Sequence, residues 1–174
     1  MRALALAAFV LLADCCLAGT FTAFGPRTYE RGTGDPATVG ATFTVRNPNT
    51  QYTVRVRNGG LVDGDFEPVS STIISLNGAQ VFGPDDFNQN VELAERPVTL
   101  LASNELAVEV RGRPGGALSI EIIGVDNDLP TITAAATPSA NVNGWNNTDV
   151  TVTFTCDDAT SGVASCPAPV IRPR

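Results

Sequence analysis

The segment ATFTVRNPNTQYTVRVRNGG, residues 41–60, decides the fold class of this chain of 174 residues. Apolar and polar residues alternate on both sides of the turn sequence NPNT. In the second half, Tyr52, Val54 and Val56 fall on one side of an extended strand, and Thr53 and two arginines fall on the other. A period of two is typical of antiparallel strands that bury one face. The segment therefore predicts two β-strands joined at NPNT.

The same alternation continues towards the C-terminus. STIISLNGAQVF predicts a hairpin that turns at Asn77–Gly78, because Asn-Gly is a preferred pair for a tight turn. RPVTLLA and NELAVEVRG, residues 96–102 and 104–112, predict a further strand pair, and GALSIEIIGV, residues 116–125, predicts the strand that closes the series. About six to eight strands without crossover helices indicate an all-β fold, an antiparallel β-sandwich or jelly roll.

The sequence pattern changes after residue 125, where DNDLP, with polar residues followed by a proline, predicts a linker. Beyond it, TITAAATP and DVTVTFTCDD predict new strands on either side of the turn-rich SANVNGWNNT. We therefore divide the chain into a first module at residues 19–125, a linker at 126–129 and a second module at 130–174.

The N-terminal sequence MRALALAAFVLLADCCLAGT has one positive residue, a short apolar run and then small residues. This order predicts a secretory signal peptide over residues 1–18, cleaved after Ala18. The apolar run is shorter than the ~20 residues of a transmembrane helix, so no transmembrane segment is predicted. The adjacent Cys15 and Cys16 leave a lipid anchor as the alternative, although Asp14 stands where a lipoprotein has a small residue.

Two further cysteines, Cys156 and Cys166, flank the turn sequence ATSG near the C-terminus. An even pair in an oxidising compartment predicts a disulfide. A zinc site would need further ligands of the right kind, and a redox motif would need closer spacing.

The composition excludes several function classes. The chain has no histidine and no lysine, and its 11 arginines against 18 acidic residues give a net charge of −7. Histidine-based triads, histidine-ligated zinc and lysine Schiff bases are therefore excluded. The acidic balance lacks the basic footprint of a nucleic-acid-binding protein.

Asp126, Asn127 and Asp128 place several oxygen ligands at the predicted linker, where they could hold calcium. The string VDNDLP resembles the calcium-binding linkers of cadherin-like repeats. The alternative is a plain linker, since Asn and Asp before Pro are ordinary turn residues. Calcium is the only cofactor that the sequence suggests.

Other polar residues could carry chemistry or binding. The carboxylates of VDGDFEP and GPDDF could form a metal loop or a glycosidase pair, with solvated turns as the favoured alternative; they are Asp63, Asp65, Glu67, Asp85 and Asp86.

Trp145, the only tryptophan, could stack on a sugar ring, with packing over a small core as the favoured alternative. Arg55 and Arg57 could grip an anion, with a solvated sheet face favoured instead.

Two stretches resemble known families. IISLNGAQVFGPDDFNQNVELAERPVTLLASNELAVEVRG, residues 73–112, resembles the galactose-binding-like jelly-roll modules attached to many glycoside hydrolases. PTITAAATPSANVNGWNNTDVTVTFTCDDATSGVASCP, residues 130–167, resembles the first half of Ig-like modules from large bacterial surface and secreted proteins. The second resemblance implies a bacterial extracellular protein with further β-modules in a longer parent chain. Ligand residues vary in the first family, so none is carried over.

The predicted protein is all-β, with a sandwich or jelly roll followed by a partial Ig-like module that is locally unstable or docked on the first module. The expected function is non-enzymatic, an adhesion or scaffold protein, secreted or on the cell surface. The alternative is a carbohydrate-binding module of a larger secreted protein, and a carboxylate-based hydrolase ranks third. The expected partners are a carbohydrate or a cell-surface protein.

Overall fold

The computed structural model describes residues 19–61 and 66–173. The predicted signal peptide, with its cleavage site after Ala18 and the lipid-anchor alternative at Cys15 and Cys16, lies outside these residues, as do Asp63 and Asp65. In the described part the chain forms twelve strands and one turn of 3₁₀ helix at Pro84–Asp86. The strands are β1 (Gly19–Glu30), β2 (Thr38–Thr44), β3 (Tyr52–Asn58), β4 (Glu67–Pro68), β5 (Ser71–Leu76), β6 (Ala79–Phe82), β7 (Leu93–Val98), β8 (Ser103–Arg111), β9 (Gly116–Asp126), β10 (Thr131–Thr137), β11 (Val150–Asp157) and β12 (Val170–Arg172).

The first nine strands build two sheets with their buried faces together. One sheet has the antiparallel order β1-β9-β3-β7, and the two-residue β4 pairs with β9 in parallel. The other has the antiparallel order β2-β8-β5-β6. The prediction of an all-β chain built on an antiparallel β-sandwich is confirmed.

Alternation along the strands fills the space between the sheets. In β3, Val54 and Val56 point inwards and Arg55 lies on the outer face. Leu106 and Val108 do the same from the opposite sheet. One core results, with the buried hydrophobic residues Tyr29, Tyr52, Val54, Val56, Val69, Ile74, Leu76, Phe82, Phe87, Leu100, Leu106, Val108, Val110, Leu118, Ile120 and Ile122.

The predicted hairpin at Asn77–Gly78 is confirmed as the β5–β6 pair. Asn77 has φ 51° and Gly78 has φ 80°, the positive values that a two-residue turn of this kind requires. Asn77 also bridges to the neighbouring strand, because its Oδ1 accepts the Glu105 N–H at 2.9 Å.

The two strands predicted on either side of NPNT are present as β2 and β3, while the predicted pairing of β7 with β8 is wrong. β2 and β3, on the two sides of NPNT, lie in different sheets, since β2 pairs with β8 while β3 pairs with β7 and β9. β7 and β8, predicted as a pair, also lie in opposite sheets. Alternation reports which face of a strand is buried and carries no information on which strand lies beside it.

The first module begins and ends on neighbouring strands. β1 runs antiparallel to β9, and Gly19 stands opposite Asp126. The chain therefore enters and leaves this module at the same end. β9 extends to Asp126 and β10 begins at Thr131, so the connection between the modules spans residues 127–130.

The second module is a three-stranded sheet in the order β10-β11-β12. Its register gives one face to apolar residues such as Ile132, Phe154 and Val170, and the other to a row of threonines. Within residues 130–173 no hydrophobic side chain is fully buried.

Candidate functional site at the junction between the modules

Three segments meet where the first module passes into the second. They are the loop between β2 and β3 at residues 45–51, the linker at 127–130, and the loop after β11 at 158–165. The disulfide Cys156–Cys166 is present, as predicted, and it closes the base of the last of these loops.

The loop after β11 is organised around the carboxylate of Asp158, which is only 5% exposed. Its Oδ1 accepts N–H groups from Thr160 at 3.0 Å, Ser161 at 2.8 Å and Gly162 at 3.1 Å. Because carboxylates readily accept such local bonds, Asp158 fixes the loop conformation without help from a second sheet.

Burial acts to raise the pKa of Asp158, but the bonds from Ser161, Thr160 and Gly162 favour the charged form and hold the pKa below its ordinary 3.8. A depressed pKa stabilises the folded loop above the pKa of the unfolded chain. This contribution to stability is lost as the pH falls through the lower pKa of the folded state.

Thr160 ties the three segments together, and we call Thr160, Asp128 and Asn47 the junction triad. The buried Thr160 hydroxyl donates to Asp128 Oδ2 in the linker at 2.5 Å. It accepts a bond from Asn47 Nδ2 in the loop between β2 and β3 at 2.7 Å. One hydroxyl thus bonds at once to the first module and to the linker.

The loop that carries Asn47 is itself fixed to the first module. The Tyr52 hydroxyl donates to the Asn47 carbonyl at 2.7 Å, and Val125 N–H donates to the Gln51 carbonyl at 2.9 Å. Thr50 adds a side-chain bond to the Val125 carbonyl. The position of the junction triad is therefore set by the ends of β3 and β9.

An ion pair accompanies these bonds at the surface. Arg46 Nη1 lies 3.8 Å from Asp157 Oδ1, and both side chains are mostly exposed. Such exposed pairs contribute about 0–1 kcal/mol, so the buried hydrogen bonds dominate the junction.

The predicted calcium ligands lie in this junction. Asp126 Oδ1 accepts the Asp128 N–H at 2.8 Å, and Asp128 Oδ2 accepts the Thr160 hydroxyl. Asn127 is exposed between them. In residues 19–61 and 66–173, no group of three or more acidic, cysteine or histidine side chains is placed to hold a metal ion. Calcium binding therefore stays a prediction, with one oxygen of each carboxylate engaged in protein bonds.

We expect calcium to bind at Asp126, Asn127 and Asp128 with a Kd of about 10⁻⁴–10⁻³ M, as extracellular sites do. Titration calorimetry on the unchanged chain, on Asp126→Ala/Asp128→Ala and on Asp85→Ala as an exposed control measures it. Saturable heat that only the double variant loses is the expected result. Equal heats from all three proteins would leave these residues a turn role alone.

A cleft of about 560 Å³ opens beside the junction triad. Its walls come from the start of β1 near Phe21, from the linker, and from Ile132 and Val163 of the second module. Asp126, Asp128 and Asp158 also line it. The cleft thus combines apolar walls with negative charge.

Arg55, one of the two arginines predicted as possible anion ligands, forms ion pairs on the outer face of its sheet. Arg55 Nε lies 2.5 Å from Glu95 Oε1, and Arg55 Nη1 lies 3.3 Å from Glu121 Oε1. The bond to Glu95 raises the pKa of Arg55, and Glu121 adds to this. Arg55 is neutralised by the two flanking strands, while Arg57, on the same face, is exposed.

Asp86 of the GPDDF turn is also engaged within the protein. Its Oδ2 accepts the Gly83 N–H at 2.7 Å, and its Oδ1 accepts a bond from Arg96. The Arg96 guanidinium lies 4.8 Å from the centre of the Phe82 ring. Asp85 is exposed beside Asp86, and Glu67 lies in the two-residue β4.

Trp145 lies in a loop closed on Asn141. Asn141 Oδ1 accepts N–H groups from Asn143 at 2.9 Å and from Trp145 at 3.0 Å, and Asn141 N–H donates to the Trp145 carbonyl at 2.9 Å. Trp145 is 49% exposed, and both its packing over a small core and its stacking on a sugar ring stay predictions.

The sequence interpretation missed Asp158, Thr160 and Asn47. The string DATSG carries a usable signal for the first of them, because an aspartate followed by Thr, Ser and Gly is typical of a turn that bonds its own backbone. The partners of Thr160 are distant in sequence and leave no local signal.

No family model matches the chain, and no curated protein or solved structure matches it significantly. In the described part of the chain, no helix has the length and hydrophobicity to cross a membrane.

Proposed function

We propose that this chain is a non-enzymatic adhesion or scaffold protein of the bacterial exterior, built from β-modules in series. The observation that carries the proposal is the junction triad, in which a buried threonine joins the first module, the linker and the second module. A scaffold must hold its modules in a fixed relation, and buried hydrogen bonds at a short linker serve that purpose.

Composition and covalent chemistry support the same class. The chain has no histidine or lysine for the commonest catalytic roles. The Cys156–Cys166 disulfide is compatible with an oxidising, extracellular compartment. The signal peptide expected at residues 1–18 would bring the protein there.

A carbohydrate-binding module is the second candidate, and Trp145 is the observation that favours it. Its indole is half exposed at a loop closed by Asn141, as a stacking platform for a sugar ring would be. Specific retention of one sugar class on a glycan array, lost in Trp145→Ala, would favour this candidate over the first.

The scaffold proposal predicts that the two modules tumble together and that Thr160→Val separates them. Valine keeps the shape of threonine but leaves Asp128 Oδ2 and Asn47 Nδ2 without their shared partner, at a cost of about 1–3 kcal/mol. Backbone ¹⁵N relaxation on the whole chain measures one correlation time for each module. We expect equal times before the substitution and a shorter time for the second module after it.

Thr153→Val is the matched control, because Thr153 is exposed on β11 and takes no part in the junction. It should leave the common tumbling unchanged. Independent tumbling of the two modules in the unchanged chain would contradict the proposal.

A further inference from the structure

Arg31 is a buried cation without an acidic partner. It follows β1, is 8% exposed, and donates to the carbonyls of Gly32 at 2.5 Å and Gly34 at 2.7 Å. No acidic side chain of residues 19–61 and 66–173 lies within 4.0 Å of its guanidinium, and its buried Nε has no hydrogen-bond partner there. Burying a charge without an opposite charge is costly, so an anion bound beside Arg31 would stabilise the buried guanidinium.

Tyr29, two residues earlier, supplies a second buried group without a partner. The side chain is 3% exposed, and its hydroxyl has no hydrogen-bond partner in the described residues. Burial raises the pKa of the phenol above its ordinary 10.0, and Arg27 offsets this only in part. The phenol therefore keeps its proton at neutral pH and can donate.

Both side chains line one small cavity in the first module, away from the junction triad. Its volume is about 130 Å³, and its apolar walls are Ala37, Val39, Val108 and Val110. Water occupies about 30 Å³ per molecule and pockets for whole small molecules measure about 300–1,000 Å³, so this cavity admits a single functional group.

We propose that Arg31 and Tyr29 together bind one carboxylate group. This group belongs either to a small organic acid or to an acidic glycan. The Nε edge of a guanidinium matches a carboxylate in two parallel bonds, and the tyrosine hydroxyl adds a third donor. Water could take up the hydrogen bonds but would bring no opposite charge into contact with the Arg31 guanidinium.

Charge at the cavity favours a monoanion over a dianion. Glu30 and Asp35 also line the cavity, and both are exposed. Their negative charges repel a doubly charged phosphate more strongly than a carboxylate. Arg31 Nε and the Tyr29 hydroxyl are covered in this structure, so binding requires residues 32–35, which are exposed, to shift outwards.

The test follows the Nε–H resonances of the arginines by NMR in the full chain. The probes are sodium acetate, trigalacturonate and sodium phosphate, each against sodium chloride at the same ionic strength. We expect a saturable shift of the Arg31 resonance with acetate and trigalacturonate. Tyr29→Phe, which keeps the ring, should weaken both affinities about tenfold, and Arg57→Gln, at an exposed arginine, should leave them unchanged.

The two carboxylate sources are separated by their relative affinity. Trigalacturonate binding at least about tenfold tighter than acetate would assign the site to an acidic glycan, and equal affinity would assign it to small organic acids. Any one of three results would overturn the proposal. They are a linear shift identical to that in chloride, saturation by phosphate alone, and unchanged affinities in Tyr29→Phe. None of these outcomes depends on the junction, so the scaffold proposal stands or falls separately.

Discussion

Asn58→Ala should lower the free energy of unfolding of the first module by about 2–4 kcal/mol. Asn58 ends β3 and is 8% exposed. Its Nδ2 donates to the carbonyls of Val69 at 3.0 Å and Asn88 at 3.2 Å, and its Oδ1 accepts the Val69 N–H at 2.7 Å. Alanine would leave these backbone groups unpaired, and each unpaired buried group costs about 1–3 kcal/mol.

Unfolding by denaturant, followed by circular dichroism, measures the loss in free energy of unfolding. Asn90→Ala is the control, because Asn90 is exposed and donates to Asn88 Oδ1 through its backbone N–H, which alanine keeps. Asn58→Asp should cost more than Asn58→Ala, since it turns a carboxylate oxygen towards two carbonyls. A loss from Asn58→Ala no larger than that from Asn90→Ala would show that water satisfies these groups.

Removing the disulfide with Cys156→Ser/Cys166→Ser should destabilise the second module by roughly 2–3 kcal/mol and leave the first module unchanged. A cross-link that closes so short a loop acts mainly by constraining the unfolded chain. The loop carries Asp158 and Thr160, so its release should also weaken the junction triad. The small second sheet has no fully buried apolar side chain to compensate.

Hydrogen exchange resolves the two modules in one experiment. We expect amides at 150–155 in β11 to lose protection in the double serine variant, while amides at 108–110 in β8 keep theirs. Ser165→Ala, beside Cys166 in the same loop, is the control and should preserve both. Equal protection of β11 in the variant and in the unchanged chain would mean that the sheet folds without its cross-link.

Local patterns predicted the parts of this fold that depend on neighbours in sequence. Alternation placed Tyr52, Val54 and Val56 on one face of a strand, and all three lie in the core. The Asn77–Gly78 turn formed where expected because its backbone geometry is a property of those two residues. The disulfide followed from an even count in an oxidising compartment.

Features that join distant segments could not be predicted in the same way. The pairing of β3 with β9 depends on which strand lies alongside, and alternation is the same for either neighbour. Thr160 reaches Asn47 across a separation of 113 residues. Tyr29 and Arg31 give no signal in the sequence, because a tyrosine or arginine beside a strand end is ordinary until its surroundings show a buried group without a partner.

The pairing of Gly19 with Asp126 governs how the first module would respond to tension along the chain. A pull on both ends of the module would separate two adjacent, antiparallel strand ends, so it would strain one hydrogen-bonded pair at a time instead of shearing the whole ladder at once. Strands opened in this way resist weakly. Full extension of the module would release roughly 350 Å of chain, at ~3.3 Å per residue. Under tension the first module would therefore unfold at low force and lengthen the chain. Resistance of the protein to stretching would have to come from other parts of the chain.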